Sequence, residues 1–482
     1  MNSDLNKHGF QSMKMKNLFR YRFVVFLIIF TACRTGKNYQ RPTVLLPGRF
    51  ISDSTVHDTT SIADISWRSY FADTILRHLI DTGLVLNFDL QFALRNINIA
   101  QSQVKQANWL WIPQVNARVS PYVYRNSDNG PAGVNNGAIT NNYKDFLASV
   151  NMSWEIDIWG KISRQQESAR ANYLQSYEAA KAVQTTLVAN IAQGYFNLLM
   201  LDQQLLETKK TLDLTNDFVK LTRLLFDAGE VTYLGVQQAE SQRDNTAQLV
   251  PQIEQGIQVQ ENSLQLLVGS LPGTVHRDGN LTDIHFTESL ETGLPVSLLN
   301  RRPDVRASEL ALIQANAQVG ISQANMYPAL NLTAGAGFES LMASNWFNIP
   351  GSLFGLAGAT LIQPILQGRQ LKTQLETAKQ EREQAVIRFR QSVLTAAVEV
   401  TNALVRVQKL KEQEKYAQQR ADTLIGAVNN SQLLFKNDLA NYLEVITAQQ
   451  TALDAQLSLA FIQNQELNAR VELYRSLGGG WR

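Results

Sequence analysis

Between about Ser163 and Phe226 the chain carries no proline and one glycine, Gly194. Its apolar residues Leu174, Tyr177, Val183, Leu187, Ile191, Tyr195, Leu198, Leu205, Leu212, Phe218 and Leu225 recur mostly in threes, fours or their multiples. That spacing predicts one helix, and about sixty helical residues span roughly 100 Å at 1.5 Å per residue. No ordinary domain core needs so long a helix; a coiled-coil-like tube does. A second run of the same kind extends from about Leu371 to Phe435.

The two runs belong to an internal repeat. Gln106-Ala-Asn-Trp-Leu-Trp-Ile-Pro113 is echoed by Gln323-Ala-Asn-Met-Tyr-Pro328. Leu225-Phe-Asp-Ala-Gly-Glu-Val-Thr-Tyr-Leu-Gly-Val236 is echoed by Leu434-Phe-Lys-Asn-Asp-Leu-Ala-Asn-Tyr-Leu-Glu-Val445. Each copy opens with a helix, Leu86 to Trp111 and Pro303 to Met326, stopped by Pro113 and Pro328, because proline lacks an N–H and restricts the residue before it. Two period-two strand patterns follow. In copy one these are Val115, Ala117, Val119, and then Phe146, Ala148, Val150, Met152, Trp154, Ile156 and Ile158. Copy two has Leu330 to Phe338 and a less regular stretch from Leu353 to Ile365. The Asn- and Gly-rich link from Arg125 to Asn142 reads as a hairpin loop. After the long helix, a turn at Gly229 or Asp438 sends a second helix back; glycine suits such a turn. Asp438 standing where copy one has Gly229 predicts a differently shaped second turn.

Composition excludes several classes. The 44 basic and 42 acidic residues nearly cancel, so no charge excess points to nucleic acid. One cysteine excludes a disulfide scaffold. That cysteine, Cys33, ends a short apolar run from Phe23 preceded by Lys16, Arg20 and Arg22. The run is too short for a transmembrane helix and has signal-peptide flanks. Thr31, Ala32 and Cys33 resemble a bacterial lipobox, with Phe30 where leucine is usual. The expected organisation is a signal peptide over 1–32, lipidation at Cys33, an N-terminal segment over 33–85, repeat one over 86–270, a linker over 271–300 and repeat two over 301–482.

Four strands cannot close a membrane barrel, since the smallest single-chain barrels have eight. An open sheet in lipid leaves backbone groups unpaired at several kcal/mol each. Two chains would give eight strands and an interior filled by side chains. Three give twelve and room for a channel. Trp109, Trp111, Trp154, Trp159 and Phe354 fall at the strand ends, where interfacial aromatics are enriched. Glu155 and Asp157 read as pore-facing strand carboxylates. No catalytic constellation stands out: the histidines His8, His57, His78, His276 and His285 are scattered, and there is no His-Glu-x-x-His run or phosphate-binding glycine loop. His276 and His285, near Asp278 and Asp283, read as a polar surface loop. No enzyme activity, metal or cofactor is expected.

Five segments, in order, carry a family likeness: Asn38-Tyr-Gln-Arg-Pro42, Trp154-Glu-Ile-Asp-Ile-Trp-Gly160, Leu299-Asn-Arg-Arg-Pro-Asp-Val-Arg-Ala307, Tyr442-Leu-Glu-Val-Ile-Thr-Ala-Gln449 and Leu477-Gly-Gly-Gly-Trp481. The chain resembles the TolC-type outer membrane factors, in the lipoprotein (NodT) branch that works with resistance-nodulation-division (RND) pumps. The resemblance implies a mainly helical homotrimer with a membrane β-barrel of twelve strands, four per chain. It further implies a periplasmic α-barrel and an equatorial region drawn from the segment after Tyr39, the linker and the C-terminal end. It implies an outer-membrane, lipid-anchored exit duct for small molecules, partnered by a periplasmic adaptor, an inner-membrane RND transporter and outer-membrane lipid. Gly229, Tyr233, Leu234, Asp438 and Tyr442 would meet the adaptor. Relatives often carry an aspartate where Thr447 stands, so Leu443, with Glu444 and Thr447 beside it, is the expected pore constriction. The same duct could serve type I protein secretion or metal-ion export. A secreted coiled-coil rod, a reading from a different class, predicts no barrel.

Overall fold

The computed structural model describes residues 35–44, 61–125, 127, 142–284, 286 and 295–482. The signal segment, Cys33, nearly all of the first hairpin loop and His285 lie outside the described residues. Helices α1 (Thr74–Leu86) and α2 (Phe88–Trp109) precede strands β1 (Gln114–Arg125) and β2 (Asn142–Ile156). Helices α3 (Lys161–Asp227) and α4 (Tyr233–Leu267) follow. Then come α5 (Pro303–Ala324), β3 (Ala329–Ser340), β4 (Leu353–Ile362), α6 (Gln370–Lys436) and α7 (Tyr442–Ser476). Element lengths recur: 67 residues in α3 and α6, 35 in α4 and α7, and 22 in α2 and α5. α2 and α5 stop about a turn ahead of Pro113 and Pro328, earlier than the sequence pattern placed their ends. Among the described residues the chain is mainly helical with one four-stranded sheet, and the sheet removes the reading as a sheetless coiled-coil rod.

The chain divides into two compact units, each drawing on both halves of the sequence. The first takes residues 1–42, 99–174 and 310–387; the second takes 43–98, 175–309 and 388–482.

In the first unit the strands run β1-β2-β3-β4, all neighbours antiparallel. Side chains alternate between faces along a strand, so register decides what each face carries. Val115, Met152, Ala334 and Ala357 fall in one row, and Val119, Ala148, Phe338 and Leu353 in another. These rows make one face apolar across all four strands. The opposite face carries Asn116, Asn151 and Gly335, then Arg118, Ser149 and Gly337. β4 breaks the alternation by placing Phe354, Leu356 and Ile362 on that second face, in agreement with its weaker sequence pattern.

The segment Trp154–Gly160 builds the corner from β2 into α3. Asp157 lies past the last residue of β2 and accepts from the backbone N–H groups of Ile162 and Ser163, both at 3.1 Å. It therefore satisfies donors that a helix start leaves orphaned, which corrects its reading as a pore-facing strand carboxylate. Glu155 is paired with Lys161 at 3.0 Å. The Trp159 indole donates to the Pro328 carbonyl at 2.7 Å and stacks on Tyr327 with ring centroids 4.8 Å apart. Gly160 takes the positive φ (75°) that lets the chain turn into the helix.

One turn into α3, the Arg164 side chain is buried, with the residue 1% exposed. Its guanidinium donates to the Thr35 carbonyl (3.3 Å), the Gly36 carbonyl (3.1 Å), Asn38 Oδ1 (3.1 Å) and Glu167 Oε2 (2.6 Å). The N-terminal strap is thus fixed within a few residues of Cys33. Nothing in the sequence flagged Arg164, because a basic residue in a helix first turn ordinarily reads as a solvated charge.

The second unit has an aromatic core that joins three distant stretches. Tyr70 and Tyr474 stack with centroids 4.1 Å apart and planes 8° from parallel, and Phe71 and Phe286 pack around them. The Tyr474 hydroxyl donates to the Ile65 carbonyl at 2.7 Å, and burial pushes its pKa up to about 12. Residues of the N-terminal stretch, the linker and the C-terminal helix therefore meet here. The glycine-rich end is ordered by close approach: a Cβ on Gly479 would lie 2.4 Å from the Tyr474 ring. Trp481 beyond it lies under the Lys181 ammonium, 4.2 Å from the ring centroid.

Beside this core, the Leu299–Ala307 motif places Arg302, 4% exposed, among acids. Arg302 donates to Asp304 (3.0 and 2.6 Å), Glu399 (2.7 Å) and the Ser476 carbonyl (3.0 Å). Burial works to raise the Asp304 pKa, but the hydrogen bonds and charge of Arg302 outweigh it and hold Asp304 below its ordinary 3.8. Glu472, likewise opposed by burial, is held below 4.5 by Arg475. A carboxylate with a lowered folded pKa contributes stability fully above its unfolded value and loses it as pH falls through the folded one. The melting temperature of the detergent-extracted protein should therefore stay level down to about pH 5 and fall at lower pH. Arg302→Ala strands Asp304 and Glu399 and should cost about 3 kcal/mol at neutral pH, read as a lower temperature for loss of helical circular dichroism. Because Arg302→Ala removes the partner that lowers the Asp304 pKa, the acid-side decline should also be shallower in that variant.

Candidate functional site

Two surfaces stand out: the helical turns of the second unit and the sheet of the first. At the turn after α3, Gly229 has φ 82°, and the Glu230 N–H donates to the Leu225 carbonyl at 2.9 Å. At the turn after α6, Asp438 has φ 58°, and the Leu439 N–H donates to the Leu434 carbonyl, also at 2.9 Å. Both are left-handed helix terminations with the same wrap-back hydrogen bond. The expectation of a differently shaped second turn is thus corrected. Aspartate is one of the few side chains that visit this conformation, so the backbone geometry is kept at some strain.

The turns share a small core of Phe218, Val219, Ala239, Phe435, Val445 and Ile446, with Tyr442 packed against it. The structure separates the two tyrosines that sequence reasoning treated alike. Tyr442 is half-buried against Gly235, where an added Cβ would stand 3.3 Å from the ring. Tyr233 is 58% exposed and Leu234 55%, and among the described residues the one aromatic ring Tyr233 touches is Phe226. Gly229 and Asp438 are exposed. On α7, Leu443, Glu444 and Thr447 are all exposed, whereas Val445, Ile446 and Gln449 between and beyond them are buried. Asn441 caps this helix by accepting from the Leu443 N–H (2.9 Å) and the Glu444 N–H (3.1 Å). Thr232, the equivalent residue before α4, makes no such side-chain bond.

In the first unit, β1 and β4 are edge strands with no partner across the sheet among the described residues. The exposed apolar side chains of β1 run from Val115 to Val123, about 27 Å along the strand, on the order of the 25 Å apolar band of an outer-membrane barrel. Aromatic residues stand at both ends of the sheet. Trp109, Trp111, Trp154 and Trp159 mark the end where β1 begins. Phe354 does not join them: it pairs with Gly337, towards the other end. There, Phe146, Trp346, Phe347 and Phe338 form a second aromatic group, with neighbouring centroids 5.2 to 5.5 Å apart. That group was missed because Trp346 and Phe347 lie in the β3–β4 link, outside any period-two pattern. Phe338, though counted within the β3 pattern, meets Phe347 only in the fold.

His276 pairs with Asp278 at 3.1 Å in the open, and no cluster of three metal-ligating side chains forms among the described residues.

An antiparallel sheet with one apolar face, aromatic ends and paired 67-residue helices defines a class, the outer-membrane efflux channels. The profile of outer membrane efflux proteins matches residues 79–270 and 294–479. The cation efflux system protein CusC of Escherichia coli is 27% identical over 452 residues, covering 93% of this chain and 97% of its own. The toluene efflux pump outer membrane protein TtgC of Pseudomonas putida is 28% identical over 466 residues, with 94% of each covered. The solved outer-membrane channel OprN superposes with a TM-score of 0.85 at 25% identity, covering 93% of this chain and all of that one. The chain belongs to the outer membrane efflux protein family, and its function is that of an efflux channel in the outer membrane.

The equal geometry of the two turns has a direct test. An added Cβ at Gly229 meets nothing within 4 Å, so substitution there acts through the backbone alone. Gly229→Asp should destabilise by about 1 kcal/mol and Asp438→Gly should stabilise by a similar or smaller amount. Thermal melts of the two variants should shift in opposite directions; shifts of the same sign would mean that the turns are not equivalent.

Proposed function

We propose that three copies of this chain close their sheets into one twelve-stranded barrel and line a continuous duct through which small molecules leave the cell passively. The observation that carries this reading is the open sheet, with its apolar face and unpaired β1 and β4 edges. Backbone donors and acceptors left bare in hydrocarbon cost several kcal/mol each, so the edges must pair with other copies. Twelve strands leave a lumen that eight would fill. The recurring element lengths support reading residues 86–270 and 301–482 as two repeats joined by an equatorial linker, after a signal peptide over 1–32. Acylation at Cys33 would anchor the strap that Arg164 holds.

Within this reading the turns at Gly229 and Asp438 face a periplasmic adaptor, and Tyr233 and Leu234 are its main apolar contacts because both are bare. Tyr442 serves the turn core instead. An inner-membrane RND transporter supplies the energy. Residues Leu443, Glu444 and Thr447 form the constriction, with Leu443 as its apolar ring and Glu444 its acidic member. No bond is made or broken by the protein; conduction depends on which turn arrangement the adaptor favours.

Single-channel conductance of the detergent-purified protein in a planar bilayer, with its mass measured alongside, tests the duct. Discrete channels from a trimeric mass are expected, and a monomer without conductance would overturn the proposal. Leu443→Ala should raise conductance or open probability by removing the apolar ring; unchanged conductance in an intact trimer would remove Leu443 from the constriction. Glu444→Gln should reduce cation preference without changing the channel size.

A further inference from the structure

We infer that Arg118 is the charge selector of the barrel: its three copies form a basic belt around the lumen that enriches anions, and the anionic groups of cargo, at that level of the duct. The inference rests on the trimeric reading above and names a residue that sets what the duct passes.

Arg118 stands on the polar face of the sheet, in the row Arg118, Ser149, Gly337 and Phe354. A charge in mid-strand on the lipid side of a barrel is destabilising, so the apolar face takes the lipid and this one the lumen. Among the described residues Arg118 is the one basic side chain on the polar face of the four strands, and the acids there are Asp145, Glu155 and Glu339. Glu155 is already paired with Lys161. Asp145 lies opposite Tyr122, and Glu339 lies opposite Leu147, itself opposite Ser120, so both acids stand in rows nearer the far end of the sheet. The Arg118 side chain is exposed and held along its own strand. Its Nε donates to Ser120 Oγ at 2.7 Å, and its guanidinium carbon lies 5.6 Å from the centroid of the Tyr122 ring. Among the described residues no carboxylate pairs with it, and its two Nη groups donate to nothing.

Closing the ring leaves that charge unpaired. β1 is an edge strand, so β4 of the next copy comes to lie beside it, and Leu353–Ile362 contains no charged residue. Whatever the register of the join, that strand brings no carboxylate to Arg118. Its neighbours on β2 within the chain, Leu147, Ser149 and Asn151, are uncharged too. Twelve strands about 4.8 Å apart and tilted by about 40° give a backbone radius of about 12 Å. A side chain lying along its strand keeps its charge a few Å inside that radius, about 8 Å from the axis and within the Debye length of about 10 Å at 0.1 M salt. Three such charges in aqueous surroundings raise the anion concentration on the axis roughly threefold. Repeated around one lumen, the same side chain acts on everything that passes.

The test reads this charge in two ways. Reversal potentials of the channel in a planar bilayer, under a potassium chloride gradient near about 0.1 M, give its cation-to-anion ratio. Arg118→Gln should raise that ratio roughly threefold, and Arg118→Lys should leave it near the parent value. The shift should shrink at about 1 M salt, where the Debye length is about 3 Å. An unchanged ratio for Arg118→Gln in a conducting trimer would overturn the selector and leave the duct standing; a monomeric mass would overturn both. The second readout needs no open turn. Asn116→Cys, two residues along the same strand, reacts in lipid vesicles with anionic and cationic methanethiosulfonates at rates whose ratio reports the local charge. Adding Arg118→Gln should lower the anionic-to-cationic ratio roughly threefold. No change in that ratio would overturn the selector even in a channel that stays shut. Val119→Cys, on the apolar face, should resist both reagents; labelling as fast as at Asn116→Cys would exchange the two faces and overturn the inference as well.

Discussion

Everything in this chain answers to the unpaired backbone of two sheet edges. β1 and β4 each present a row of N–H and C=O groups, and water cannot satisfy them within a membrane. The apolar face across the four strands is also left bare within the chain: Val115, Val119, Val150, Leu353 and Leu361 on it are each at least half exposed. In the proposed reading, one chain carries an arc of a barrel rather than a barrel. A chain that is a fraction of a ring needs every other part to be repeatable around the same axis. Recurring helix lengths serve that need: 67 residues twice and 35 residues twice give two comparable sets of helices per chain. In the proposed trimer, three chains would then supply staves of equal length.

The strand-to-helix corner is where such a design is most exposed to error, since a strand and a helix make different demands on the backbone. In β2–α3 the demands are met within seven residues. Glu155 is tied to the first residue of the helix, Asp157 caps that helix, and Trp159 locks to the strand-three corner through Pro328 and Tyr327. Gly160 supplies the turn. Each side chain acts on a neighbour in the fold, which accounts for the density of recognisable residues in this stretch. Arg164, one turn on, extends the same corner to the N-terminal strap.

Legibility in the sequence followed locality. The long helices, the strands and the turns at Gly229 and Asp438 were readable because period and punctuation are local signals. The alternation on β4 was the weakest, and the structure shows why: Phe354, Leu356 and Ile362 sit on the face that is polar elsewhere. Asp157 was misread because period-two counting has no means of seeing that the strand ends at Ile156. The second aromatic group and the Arg302 cluster depend on residues more than a hundred positions apart, or on a link with no pattern at all. Phe146 meets Trp346, and Arg302 meets Ser476, only once the chain is folded. The candidate site divides in the same way. Exposure of Tyr233 and burial of Tyr442 could not be told apart from two matching motifs, since the difference lies in Gly235 making room for one ring.

The two turns also show how one geometry can be held by different residues. Copy one uses glycine for the left-handed position and leaves the next helix without a side-chain cap. Copy two places aspartate in the same position and caps the next helix with Asn441. A cap of this kind contributes about 1 kcal/mol, comparable to the strain at the aspartate, so the second turn offsets locally what it costs. The offset falls on the first turn of α7, where Leu443 and Glu444 stand. Their backbone N–H groups are held by Asn441, and Glu444 sits where a helix N-terminus favours negative charge. The copy that carries the proposed constriction is therefore the one whose first helical turn is pinned, while the copy that offers the bare Tyr233 and Leu234 is the one left freer to adjust. Within the proposed function, a stiffer narrowing and a more compliant partner surface follow from a difference at two pairs of equivalent positions.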